Sequence, residues 1–126
     1  SFTSSTYADT DIAVTITPSS STSKILIMCP LCTQCYATNS TSLGIRLQRG
    51  SSTIYSNNEY MWHSVNAAIN LHYQTYFSHL DSPATTSAIT YKIQGARVRT
   101  SNGTQQAKIN SVTGQVSKMI VQEIMA

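Results

Sequence analysis

The residues best suited to chemistry lie in one short run, Cys29-Pro-Leu-Cys32-Thr-Gln-Cys35, a doubled C-x2-C with the thiolate spacing used for zinc or an iron–sulfur cluster. A structural zinc site needs a fourth ligand, and the chain offers only the isolated histidines His63, His72 and His79. His72 and His79 stand an odd number of residues apart, which puts them on opposite faces of a strand, and cysteines three apart are divided in the same way. The run continues the apolar stretch Lys24–Met28. The expectation is therefore three small, buried side chains in a strand, with no metal and no cofactor. An odd count of thiols also rules out complete internal disulfide pairing.

Other chemistries find less. The carboxylates Asp9, Asp11, Glu59, Asp81 and Glu123 are spread along the chain, mostly at expected turns or strand ends. Asp9 and Asp11 read as turn formers rather than a catalytic pair. No G-x-S-x-G occurs, and the five glycines stand singly, so neither a nucleophile elbow nor a phosphate-cradling loop is present. The expectation is a chain without catalytic residues. Asn39-Ser40-Thr41 and Asn102-Gly103-Thr104 match the glycosylation triplet but are read as turns in so Ser/Thr-rich a sequence. One cluster could bind a partner: Tyr55, Tyr60, Trp62 and His63 bring aromatic faces with polar tips into nine residues that do not alternate cleanly. A glycan or protein receptor could be gripped there, or Trp62 could fill the core.

The elements that must position these groups are short strands. Asp11–Thr17 alternates, with Ile12, Val14 and Ile16 on one face, and stops at Pro18. After the polar run Ser19–Ser23, Lys24–Met28 opens a more continuously apolar strand, the two reading as a hairpin or a loop-linked pair. Further strands are expected at Gly44–Gln48, Ser52–Tyr55, Ile69–His79, Ala88–Gln94, Ala107–Ile109 and Lys118–Ile124. Turn residues separate them, at Asn39–Ser42, Arg49–Ser51, Asp81–Pro83, Ser101–Gly103 and Thr113–Gly114. Glu59–Asn70 is expected to be mostly irregular. Many short strands and no long helical period predict an all-β, antiparallel sandwich or barrel.

With 126 residues, the chain fits one domain, 1–126. Only 10% of residues are charged, and the eight Lys and Arg that set the net charge of +3 are scattered. Without a basic stripe, nucleic acid is not an expected partner. No apolar run approaches the roughly 20 residues of a membrane span, so membrane insertion is not expected.

Several segments resemble small domains in tail-fibre and other virion fibre proteins of marine bacteriophages. Tyr7–Pro18 with Ser19–Ser23 and Lys24–Ile27 is similar to an opening that reads DTGL-VTITP-SSSSKILV. Ile45–Gly50 resembles that family's LLRG strand and turn, Leu80–Lys92 its LDSP-TTSAVTYK segment, and Met119–Ile124 its terminal ITLMEI strand. The resemblance touches both ends and the middle of the chain, and departs from the pattern at Cys29–Cys35 and Glu59–Asn70.

What this resemblance implies is a jelly-roll β-sandwich of tumour-necrosis-factor type, assembled as a homotrimer among other virion proteins on the particle surface. Trimerisation would cover apolar faces and strand edges that a small sheet protein otherwise exposes. The implied function is structural and adhesive: a tail-fibre or receptor-binding domain, or a capsid-attached fibre or decoration protein, contacting a host-surface glycan or protein. A free lectin-like domain and a polysaccharide-depolymerase tip are the alternatives. The latter needs two carboxylates flanking one glycosidic bond.

Overall fold

A computed structural model describes residues 1–64, 67–100, 105–110 and 113–125. Its eight strands are β1 (Ala8–Ile16), β2 (Lys24–Ala37), β3 (Ser40–Arg49), β4 (Ser52–Ser64), β5 (Ile69–Asp81), β6 (Ile89–Thr100), β7 (Gln105–Ile109) and β8 (Ile120–Ile124). They form two antiparallel sheets. The front sheet runs β1-β6-β3-β4, and the back sheet β5-β2-β7, with β8 also paired to β2. The chain is a β-sandwich.

The core follows from alternation. Along β2, Ile25, Ile27, Cys29, Leu31, Thr33, Cys35 and Ala37 all face inward and are at most 1% exposed. They meet Leu43, Ile45 and Leu47 of β3, and Ile89, Tyr91 and Ile93 of β6. Each large aliphatic side chain so buried contributes about 1.5–3 kcal/mol. Ile12 is buried and Val14 and Ile16 pack against the core, the expected inward face of β1.

Proline in a central strand removes a ladder hydrogen bond. Pro30 nevertheless lies in the middle of β2, opposite Tyr76 of β5. Its carbonyl accepts from Lys118 N at 2.9 Å, so the side of the strand where its N–H is missing faces away from β5. On that side β8 pairs with residues 24–28 and β7 with residues 33–37, leaving Pro30 between the two registers. The gap is bridged locally: Cys32 N donates to Ser117 Oγ at 2.9 Å, and Asn110 N to Cys32 O at 3.0 Å.

Several sequence expectations change, and the turn expected at Asn39–Ser42 gives way to β3 from Ser40 onward. β1 and β2 are not a hairpin: β1 pairs with β6 and β2 with β5, β7 and β8, so Pro18 and the polar run carry the chain between sheets. Within Glu59–Asn70, Glu59–Ser64 belong to β4 and Ile69 and Asn70 to β5 rather than to irregular backbone, and residues 65–66 lie outside the described residues. Asp9 and Asp11 lie within β1 rather than in a turn. The expected turn at Ser101–Gly103, with the triplet at Asn102, lies outside the described residues.

Candidate functional site

The aromatic cluster does not form one surface. It lies on β4, an edge strand of the front sheet, rather than on a loop at the end of the sandwich. Tyr55 stacks on Phe77 with ring centroids 5.0 Å apart, and Tyr60 meets Phe77 edge-on at 5.9 Å. Both are half-buried against the core. His63 is buried, and neither ring nitrogen has a hydrogen-bond partner among the described residues. Trp62 points the other way and is 53% exposed, which removes the core reading for the single tryptophan.

Trp62 has partners that the sequence did not suggest. The Arg99 guanidinium lies over its ring, 5.0 Å from the centroid, and Arg99 Nε and Nη2 both contact Glu59 Oε1. Opposite Trp62 on β3 is Ser42, whose Oγ donates to Asn58 O and accepts from Arg99 N at 3.0 Å. Along the same outer face, Tyr7 crosses Gly44: a Cβ there would come within 2.6 Å of Val98 and closer still to the Tyr7 hydroxyl. Tyr7 lies under the Arg46 guanidinium, 3.8 Å from ring centroid to Cζ, and donates to Asn58 Oδ1 at 2.7 Å. Lys92 and Gln94 donate to Asp9 at 2.8 and 2.6 Å. The Lys92 bond first, and Gln94 second, hold the Asp9 carboxyl below its ordinary value. This face is a network of hydroxyls, amides and ion pairs around two aromatic rings.

The outer face of the back sheet has the opposite character. Tyr76 (61% exposed), Leu80, Ile120, Ile124 and Val116 are exposed there, with Leu26, Met28 and Pro30 half-buried between them. The pairings Leu26 with Leu80 and Met28 with Ile120 make the patch continuous across three strands. Glu123, on β8, accepts from Ser19 N and Oγ, both at 2.8 Å. The hydroxyls of Ser23 and Ser19 hold its carboxyl below the usual value.

The three thiols do not converge. Cys29 and Cys35 face the core, while Cys32 faces the other side of β2, at the base of a shallow hollow lined by Pro30, Gln74, Thr75, Val116 and Lys118. Among the described residues, no group of three or more His, Cys, Asp or Glu could hold a metal ion. His72 and His79 fall at outward and inward register positions of β5, as their spacing required.

Burial pushes the Cys29 thiol up to about 12 and the Cys35 thiol up to about 11. Native protein at pH 8 should therefore leave both unmodified by iodoacetamide, with any labelling confined to Cys32; peptide mass spectrometry after quenching reads this directly. Because both folded values lie above that of an unfolded thiol, their stability contribution is complete below about pH 9. It is lost as pH rises towards about 12, by up to about 1.4 kcal/mol per pH unit per thiol. Urea midpoints should be flat from pH 7 to 9 and fall above it. Equal labelling of all three native thiols would contradict the buried placement.

Comparison of the chain with protein-family models, with curated proteins and with solved structures gives no match.

Proposed function

We propose that this chain is a structural and adhesive module of a bacteriophage virion, a tail-fibre or receptor-binding domain that works as a homotrimer. The observation that carries this reading is the pair of unlike faces: an apolar outer face on the back sheet, suited to burial against copies of itself, and a polar front face around an exposed tryptophan. Solvent-exposed clusters of large apolar residues mark association surfaces. Of the three strands that carry this cluster, β2 and β8 include residues of segments that resemble those fibre domains, Lys24–Ile27 and Met119–Ile124, and β5 ends with Leu80 and Asp81, where the most specific stretch of the resemblance begins. Jelly-roll connectivity and attachment to tail or capsid belong to the same reading. A non-catalytic role is supported by separate partners for four of the five carboxylates: Asp9 on Lys92, Glu59 on Arg99, Asp81 on Arg49 and Glu123 on Ser19.

Light scattering on the purified chain at micromolar concentration tests the assembly. A trimer is expected, converted to monomers with an unchanged far-ultraviolet spectrum by Leu80→Lys combined with Ile120→Asp. A stable wild-type monomer overturns the reading.

A further inference from the structure

We propose that the outer face of the front sheet binds carbohydrate, with Trp62 as the stacking platform and Glu59, Arg99 and Asn58 as the hydrogen-bonding rim. This inference rests on the adhesive reading above and names the chemistry that the adhesive face recognises.

A pyranose ring offers a patch of C–H groups on one face and hydroxyls around its edge, each both donor and acceptor. A complementary site therefore needs an exposed aromatic face, whose negative quadrupole attracts C–H, bordered by groups that accept and donate side by side. Trp62 is exposed and fixed on a strand rather than a loop, so little freedom is lost on binding. Arg99, which covers part of the indole, directs both its contacts to the single oxygen Glu59 Oε1. Among the described residues no hydrogen bond engages Glu59 Oε2 or Arg99 Nη1, an acceptor and a donor beside the ring. The ion pair is itself half in solvent, with side-chain exposures of 43% and 52%. It can therefore accept sugar hydroxyls in place of water without removing a charge from its partner.

The face continues beyond one ring. Trp62 stands opposite Ser42, and Tyr7 crosses Gly44, two residues further along β3. That separation is about 7 Å along the strand, and the Asn58 amide lies between, held by the Tyr7 hydroxyl. An aromatic platform followed by an amide and a second, cation-capped ring suits an oligosaccharide lying along the sheet. A protein partner would be expected to seat its anchors in a desolvated apolar centre, and the apolar centre of this molecule is on the other sheet. Burial of the back sheet in an assembly would leave this face outward.

Trp62 is the only tryptophan, so its fluorescence reports on the site alone. The wild-type chain would be screened on an array of bacterial surface polysaccharides and pyranose oligosaccharides, and soluble hits titrated against Trp62 emission. Saturable binding with an emission shift is expected. Trp62→Ala should weaken retention about 30-fold, the loss of one anchor. Arg99→Ala and Glu59→Gln should weaken it about tenfold. Tyr73→Ala, equally exposed at 53% but on β5, should leave it unchanged. Thermal melts of every variant separate misfolding from lost contact.

Absence of any retained saccharide together with unmoved emission overturns the proposal, as does retention unaffected by Trp62→Ala. Adsorption of wild-type protein to cells before and after periodate oxidation of their vicinal diols separates the two readings. Adsorption that survives periodate sinks the carbohydrate inference and leaves the adhesive one standing, whereas a monomer that adsorbs to no cell sinks both.

Discussion

Asp81→Ala is expected to destabilise the sandwich by about 3 kcal/mol, the lower end of the range for breaking a buried ion pair. Asp81 is buried at the end of β5, yet its carboxylate accepts from Arg49 Nη1 at 3.0 and 3.1 Å and from the Tyr91 hydroxyl at 2.7 Å. Arg49 belongs to β3 and Tyr91 to β6, so one carboxylate ties the back sheet to two strands of the front sheet. Its removal leaves the hydroxyl of a fully buried tyrosine without its acceptor, while Arg49, a third exposed, can turn partly to water. That escape is why the lower end of the range applies. Tyr91→Phe should cost less, about 1–2 kcal/mol, because Asp81 keeps its guanidinium. The double variant should cost less than the sum, since both changes break the same network. Urea unfolding of the three variants measures all of this; a cost below about 1 kcal/mol for Asp81→Ala would show that the clamp is not holding the sheets together.

Asp81 also shows where sequence reasoning stops. Followed by Ser82-Pro83, it has the signature of a turn, and nothing local distinguishes a carboxylate that starts a turn from one folded back under a tyrosine ten residues on. The cysteine run was legible for the opposite reason: three small thiols continuing an apolar strand need only that strand, and β2 supplies it. Pro30 within the strand could be interpreted only once β7 and β8 were seen to share one side of β2. The Tyr55–His63 segment failed through register. Leu43 and Ile45 on β3 face Met61 and Asn57 on β4, so two steps of one strand are matched by four of the other. The extra residues turn Tyr60 inward while Trp62 stays outward, and they erase the period-two pattern that would have announced a strand. Arg99 and Tyr7, distant in sequence from Trp62, carried no local signal at all. In the sequence, an Arg beside a Val at the end of an alternating run is ordinary.

Gly95→Ala is expected to cost about 2–3 kcal/mol, somewhat below the range for losing a fully buried Phe, and to act through the N-terminal segment rather than through β6. A Cβ at Gly95 would fall inside 3.0 Å of three atoms of the Phe2 ring. That ring packs against the core, and its residue is bonded to the back sheet, Phe2 N donating to Ala107 O at 2.8 Å. The next residues are held by the front sheet: Arg97 N donates to Ser4 O at 2.9 Å, Arg97 Nη2 to Thr3 O at 2.6 Å, and Nη1 reaches across to Gln105 O of β7 at 3.1 Å. Residues 2–4 are thus a strap joining β6 to β7, and the absence of a side chain at Gly95 is what lets the tip of the Phe2 ring come so close to β6. A methyl group there displaces the ring, and the strap's bonds go with it. The double-mutant cycle with Phe2→Ala isolates the cause. Once the ring is gone, Gly95→Ala should be neutral or even stabilising by about 0.4–1 kcal/mol, because alanine restricts the unfolded chain and the backbone at this position is not left-handed. Equal costs of Gly95→Ala in the two backgrounds would place the clash elsewhere in the sheet and leave the strap without a role in stability.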